Sequence, residues 1–541
     1  MQGVTQQSHT VENSNPLDVV VVGAGFAGMY MLYRLRLLGL SARVIEAAAD
    51  VGGTWYWNRY PGARCDADSI EYSYSFCEEL QQDWRWTERF ATQPEILSYA
   101  RHVADRFDLR RDITFNTRVS SAIFDELHST WTVTTEDGEV LHSRYVIMAT
   151  GCLSVPRIPE LAGSDEFSGV QYHTGSWPHE PVDFTGQKVA VIGTGSSGIQ
   201  SIPVIAQQAD HVYVFQRTPN FSVPARNAML SNEFVDWVKS NYGAIRQKAR
   251  LVGLGSIERP TESCFSVDEQ KREQRFEALW AAGGPGFMFA FTDMMTNLDA
   301  NREAVAFVHD KIRSIVKDPA VAELLIPNDH PLGTKRICVD TDYYATFNRD
   351  NVTLVDARAT PITGLVAQGV RTTVQTYAVD SVVYATGFDA MTGALLAVDI
   401  KGKGGISLRQ KWEGGPRTLL GVATADFPNF FMITGPGSPS VLSNVVMSIE
   451  QHVEWLSGLL AFAQNRNARV VEAQTAAEDQ WVAHVNEVAN KTLYPLANSW
   501  YLGANIPGKP RVFMPYVGGV GAFREKCDAI ARDGYAGFTL N

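Results

Sequence analysis

The sequence predicts an α/β fold: two doubly wound, parallel-sheet units with a mostly helical insertion. Three observations carry this. A glycine-rich turn between a β-branched run and a helical pattern occurs twice, 170 residues apart. Residues 224–331 switch to apolar residues at helical spacing. The chain has 541 residues and 45% apolar side chains, enough for roughly three or four cores.

Residues 1–16 are polar and read as a mobile tail. Leu17 to Val22 is the first strand. It leads into Gly23-Ala24-Gly25-Phe26-Ala27-Gly28, then a helical pattern, Met29 to Leu38. A second strand, Ala42 to Ile45, ends at Glu46. This is a βαβ unit. The same grammar returns as strand Val189 to Ile192, turn Gly193-Thr194-Gly195-Ser196-Ser197-Gly198, and helix Ile199 to Gln207. Strand His211 to Phe215 follows, ending at Gln216-Arg217-Thr218.

Helical spacing then runs through 232–254, 268–283 and 301–325. Strand patterns resume at Val352 to Val355 and Ser381 to Tyr384. Residues 386–541 mix strands with a long helix, Val445 to Phe462. Ala149-Thr150-Gly151 and Ala385-Thr386-Gly387 each close an apolar strand and mark chain crossings between the units. The expected domains are 1–150 with 386–541, 151–223 with 332–385, and the insertion 224–331.

Both turns are Rossmann-like: the glycines allow a tight turn and close backbone approach to a pyrophosphate, and the following helix offers free N–H groups. What ends the second strand separates the ligands. Glu46, 18 residues after Gly28, accepts hydrogen bonds from ribose hydroxyls and repels a 2′-phosphate, so the first unit should hold FAD or NAD. Arg217, 19 residues after Gly198, pairs with a 2′-phosphate, so the second should hold NADP. Together they imply NADPH reducing a flavin, with the hydride chemistry belonging to the cofactors.

Composition narrows the partners. The net charge of −12 argues against a general nucleic-acid binder. No apolar run reaches the ~18 residues of a membrane span. The first basic residue is Arg34, so the start lacks a secretory pattern and a cytoplasmic, soluble protein is expected; a monomer is the expected state, with an oligomer left open. Six cysteines without a CxxC pair disfavour a dithiol, a zinc site and an iron–sulfur site. No metal is expected. Flavin electrons then pass to another protein or to dioxygen.

Phe167-Ser-Gly169-Val-Gln-Tyr-His173-Thr-Gly-Ser-Trp177-Pro178 resembles the Baeyer–Villiger monooxygenase fingerprint, FxGxxxHxxxW followed by Pro or Asp, placed just before the second glycine turn. The resemblance runs from residue 17 to the C-terminus. It includes Gly52 to Gly62, Gly333-Thr-Lys335-Arg336, Ala385 to Asp389, Phe427 to Pro436 and Trp500 to Gly508. Gly437 to Asn444 is similar to the active-site bulge of the phenylacetone and steroid branch more than the cyclohexanone branch. Cys152 stands where that branch usually has Gln.

The resemblance implies that reduced flavin and dioxygen form a C4a-peroxide that attacks a ketone and gives an ester or lactone. Arg336 would be the catalytic cation and Asp66 its partner. Lys335 would join Arg217 and Thr218 at the 2′-phosphate. Gly53, Thr54, Trp55, Trp57 and Tyr72 would meet the flavin, and Trp500 the nicotinamide-ribose side. Gln200 belongs with the second turn's cofactor contacts. Cys152, Leu153, Ser440, Val441 and Leu442 would line a roomy apolar ketone site. His173 fits a relay of domain movement better than a general base. The alternatives are an N- or S-oxygenating flavin monooxygenase and a non-oxygenating flavin redox or sensor protein.

Overall fold

The computed structural model describes residues 16–253 and 257–541. The expected tail, apart from Pro16, and residue 254 lie outside the described residues. Two large sheets organise the rest. The first holds β1 (Leu17–Val22), β2 (Ala42–Ile45), β3 (Ile113–Thr114), β4 (Val119–Asp125), β5 (Thr130–Thr135) and β6 (Val140–Met148). From the far end of the chain come β17 (Asp399–Lys401) and β18 (Phe430–Met432). The order is β17-β4-β5-β6-β1-β2-β3, with β18 also on β6. Val21 pairs in parallel with both Val44 and Ile147. The second sheet is wholly parallel: β12 (Val352–Asp356), β9 (His211–Gln216), β8 (Lys188–Ile192), β16 (Ser381–Tyr384) and β7 (Val170–His173), in that order.

Parallel strands buried on both faces need continuous apolar runs. Val19 to Val21 and Val189 to Val191 meet that need and are fully buried. Helix α1 (Phe26–Leu37) is apolar nearly all round, because it lies between the first sheet and α7 (Val445–Asn465). Its counterpart on the second sheet is α2 (Ser196–Gln208).

Among the described residues the insertion has four α-helices: α3 (Asn232–Val252), α4 (Glu269–Ala282), α5 (Leu298–Ile315) and α6 (Pro319–Leu325). Side chains of Ser231, Asp268, Asn297 and Asp318 cap their N-termini. The single helix expected over 301–325 divides at Val316 to Asp318. Pro319 has no N–H to continue a helix but suits the first turn of a new one. A short parallel pair, β10 (Ser222–Pro224) with β11 (Cys338–Asp340), clasps the insertion's two ends.

Two features go beyond the sequence reading. β4, β5 and β6 form an antiparallel meander, and β13 (Ile362–Val366), β14 (Gly369–Thr372) and β15 (Thr376–Ala378) form a small antiparallel sheet. Among the described residues no helix is long and apolar enough to cross a membrane.

Candidate active site

The two glycine turns are built alike. Gly23 (φ +103°) and Gly193 (φ +110°) take a backbone that L side chains rarely adopt. A Cβ on Gly28 would lie 1.8 Å from the Gly23 carbonyl oxygen, and one on Gly198 would lie 2.3 Å from that of Gly193. The ends of the crossing strands press on the turns: a Gly23 Cβ would meet the Ala149 carbonyl at 2.7 Å, and a Gly193 Cβ the Ala385 carbonyl at 2.4 Å. The two Ala-Thr-Gly segments therefore back the turns as well as ending strands. Helices α1 and α2 start at Gly25 and Gly195 with no side-chain cap, leaving first-turn N–H groups for an anion. A Cβ on Gly195 would meet nothing within 4 Å. These turns fit pyrophosphates.

Glu46, 5% exposed, ends β2. Its carboxylate accepts from the Ala24 N–H at 2.5 Å and the Ala48 N–H at 2.7 Å. Burial pushes its pKa up, against those bonds. In the second unit Arg217 is exposed, and the Thr218 carbonyl accepts from the Thr194 hydroxyl at 3.2 Å. Burial holds the Lys335 ammonium below its usual pKa, with Asp329 opposing. The Ser197 hydroxyl meets that of Thr174 at 3.0 Å, and Ser196 Oγ lies 3.5 Å from Cys338 Sγ.

Gly53 has a positive φ of +54° and precedes a short helical turn, Thr54–Trp57. Trp55 Nε1 donates to the Tyr72 hydroxyl at 3.1 Å, and Thr54 is exposed. Gln200 accepts from the Tyr60 hydroxyl at 2.7 Å and donates to the Arg64 carbonyl at 3.2 Å. Its amide thus ties α2 to the 60–64 segment. The fingerprint adds a second tie: the Trp177 N–H donates to the Trp57 carbonyl at 3.3 Å. Trp177 stacks on Tyr172. Phe167 is buried, and a Cβ on Gly169 would strike both the Phe167 ring at 2.5 Å and the Asp380 carbonyl at 2.1 Å. His173 is 4% exposed. Its Nδ1 accepts from the Gly175 N–H at 2.9 Å, and Nε2 lies 3.4 Å from the Thr386 hydroxyl. Burial lowers its pKa, which keeps it neutral.

Arg336 stands where the two units meet. It donates to Asp66 through Nε (3.0 Å) and through Nη2 to both carboxylate oxygens (2.7 Å each). Nη1 donates to the Val441 carbonyl at 2.7 Å. Asp66, ahead of burial, holds the guanidinium well above its usual pKa, so it stays charged. A third of the side chain (34%) is left uncovered by protein atoms, and the ion pair anchors the charge. Asn220 Nδ2 donates to the Arg336 carbonyl at 3.1 Å. Tyr501, 1% exposed, and Tyr494 also face the charge. Sequence reasoning does not reach these three neighbours. Tyr501 follows Trp500 in the C-terminal motif, which is the one available signal.

Cys152, Leu153, Val441, Leu442 and Trp500 share one apolar cluster with Tyr501, Phe513 and Met514. Ser440 (φ +40°) is fully buried, with its hydroxyl 3.7 Å from Cys152 Sγ. Burial raises the Cys152 pKa, against a thiolate role.

Comparison with known proteins decides the family. The chain is 42% identical over 537 residues to a Baeyer–Villiger monooxygenase of Pseudooceanicola batsensis, covering 98% of this chain and 97% of that one. The chain belongs to the Baeyer–Villiger monooxygenase family. A structure of oxidized steroid monooxygenase bound to NADP matches with TM-score 0.93 and 51% identity, covering 97% of this chain and 99% of that one. A structure of OTEMO in complex with FAD and NADP matches with TM-score 0.94 and 40% identity, covering 98% and 100%. Residues 20–277 also match the family described as pyridine nucleotide-disulphide oxidoreductase. No two of the six cysteines stand at CxxC or CxxxxC spacing, so that match reflects the nucleotide-binding architecture rather than a redox dithiol motif. The cofactors are FAD and NADP.

Proposed function

We propose a division of labour for this NADPH- and FAD-dependent Baeyer–Villiger monooxygenase, which converts a ketone to an ester or lactone. Bound together, the two cofactors supply the hydride and the activated dioxygen. Gly23, Gly25 and Gly28 hold the FAD pyrophosphate, Glu46 its ribose, and Gly53 to Trp57 with Tyr72 pack against the flavin. Gly193 to Gly198 hold NADP, and Arg217, Thr218 and Lys335 bind its 2′-phosphate. Trp500 closes the nicotinamide-ribose side. The domains are 1–150 with 386–541 for FAD, 151–223 with 332–385 for NADP, and 224–331 inserted.

Arg336 is the catalytic cation. Its role is to donate hydrogen bonds where negative charge develops on the ketone oxygen, in a site where a fixed donor needs no reorganisation. Asp66 is also part of the catalytic machinery, because it fixes the guanidinium plane. One observation carries this reading: the Asp66-anchored guanidinium is also bonded to Val441, on the bulge that lines the apolar cluster. Cation and ketone pocket are thereby one construction. His173 spends its ring on the Gly175 N–H and the Thr386 hydroxyl and serves domain movement, with Trp177 as the contact that transmits it.

Cys152, Leu153, Ser440, Val441 and Leu442 make a roomy apolar pocket. It suits aryl and steroidal ketones over cyclohexanone, a reading supported by the 51% identity to the steroid monooxygenase. Six cysteines in 541 residues without a paired spacing favour a reducing compartment, the cytoplasm. The test is turnover of aliphatic, cyclic, aryl and steroidal ketones with NADPH and ¹⁸O₂. One labelled oxygen per ester, with the largest kcat/KM on aryl or steroidal ketones, supports the reading. Cyclohexanone as the best substrate contradicts the pocket assignment, and unlabelled ester contradicts the oxygen source.

A further inference from the structure

The carboxyl edge of the second sheet carries more positive charge than a 2′-phosphate contact of Arg217 and Lys335 accounts for. β9 and β12 are parallel neighbours, with Gln216 opposite Asp356. Arg217 directly follows β9 and Arg358 lies just beyond β12, so both leave the same sheet edge. A third arginine, Arg157, is fixed beside the end of β16. Its N–H donates to the Gly387 carbonyl at 2.8 Å, and its carbonyl accepts from the Thr386 hydroxyl. Thr386 and Gly387 follow Ala385, whose carbonyl presses on the Gly193 turn.

Four cations therefore converge on one edge: Arg157, Arg217, Lys335 and Arg358. The Arg217 charge acts on both Arg157 and Lys335, and the Arg358 charge acts on Lys335. Against them stands Asp329, 4.0 Å from Lys335 Nζ and 3.5 Å from Arg358 Nη2. Asp329 is shared further with His330 Nδ1 at 2.6 Å. The Asp356 carboxylate is turned to the N–H groups of Arg358 and Ala359. Among the described residues, neither Arg157 nor Arg217 has a carboxylate within ion-pair distance. In a chain of net charge −12, like charges gathered this way repel unless an anion lies among them.

We propose that Arg157 and Arg358 are specificity-determining residues that complete a phosphate clamp, flanking the 2′-phosphate of NADPH from β16 and β12 while Arg217 and Lys335 hold it from β9 and the 335 loop. The clamp rests on the assignment of the second glycine turn to NADP. Its chemistry is that of guanidinium forks on a phosphate dianion. It makes the coenzyme preference redundant: loss of one arginine weakens discrimination without abolishing it.

The test uses the full-length, FAD-loaded protein and calorimetric binding of adenosine 2′,5′-bisphosphate against 5′-ADP. FAD content and thermal unfolding confirm that each variant is folded. Arg157→Gln and Arg358→Gln should each weaken the bisphosphate roughly fivefold, and together on the order of 20-fold, with 5′-ADP binding unchanged. Equal weakening of both ligands, or of neither, overturns the proposal. Arg217→Gln separates the two levels. If it weakens the bisphosphate while Arg157→Gln and Arg358→Gln do not, the extended clamp fails and the NADP assignment stands. If the unaltered protein binds both nucleotides alike, the placement of the 2′-phosphate fails, and the clamp with it.

Discussion

Replacing Glu46 with alanine strands two buried amide donors. The carboxylate accepts from Ala24 and Ala48 at 2.5 and 2.7 Å, at a position 5% exposed. A buried donor left without a partner costs about 1–3 kcal/mol, so two give about 2–6 kcal/mol, with water entry favouring the lower half. The Ala24 amide belongs to the first glycine turn, so the loss falls on the FAD site. Glu46→Ala should lose FAD on gel filtration and unfold at lower temperature, read by release of flavin fluorescence. Glu46→Gln keeps one acceptor oxygen and should fall between. Binding of adenosine 2′,5′-bisphosphate should stay unchanged, because Glu46 lies on the other sheet. A Glu46→Ala protein with full FAD content and unaltered unfolding would refute the reasoning.

Asp66→Asn removes the charge and one of the two acceptor oxygens that orient Arg336; ester formation should fall about 10–100-fold with FAD retained, since a misplaced catalytic group of this kind loses about that much. The ratio of ester formed to NADPH consumed checks it. Gly195→Ala and Gly198→Ala should part company. The first adds a Cβ with nothing within 4 Å and should leave unfolding unchanged while blocking NADP, and the second meets the Gly193 carbonyl at 2.3 Å and should lower both; thermal unfolding and nucleotide titration distinguish them. Burial holds His452 at a pKa of about 3, whereas an unfolded histidine titrates near ~6.5. Below pH ~6.5 the unfolded chain takes up a proton that the folded chain refuses, so stability falls with pH, by about 2 kcal/mol at pH ~5. His452→Asn, which keeps an acceptor for the Thr434 N–H, should flatten that part of the stability–pH profile measured by denaturant unfolding.

The two βαβ units are legible because each strand, turn and helix is a local pattern with fixed spacing. Glu46 and Arg217 are legible for the same reason, since each ends the strand after its turn. The β4–β6 meander escapes such reading, although β5 alternates buried and half-buried residues from Thr130 to Thr135. The split of the third insertion helix turns on Pro319, a local signal that helical spacing on both sides obscures. Arg336 and Asp66 are 270 residues apart, and only a family resemblance pairs them. Asn220, Tyr494 and Tyr501 reach Arg336 through tertiary packing, which no local pattern encodes. Arg157 and Arg358 stay hidden likewise, because adjacency of β9 and β12 is a property of the sheet.

If Arg336 supplies the cation for ketone oxygenation, its removal must separate NADPH consumption from ester formation. Arg336→Ala, loaded with FAD and given NADPH, ¹⁸O₂ and a ketone that the unaltered protein converts, tests this most directly. Flavin should remain bound and NADPH should still be consumed, with labelled ester largely lost. Labelled ester formed at the unaltered rate would remove Arg336 from the mechanism.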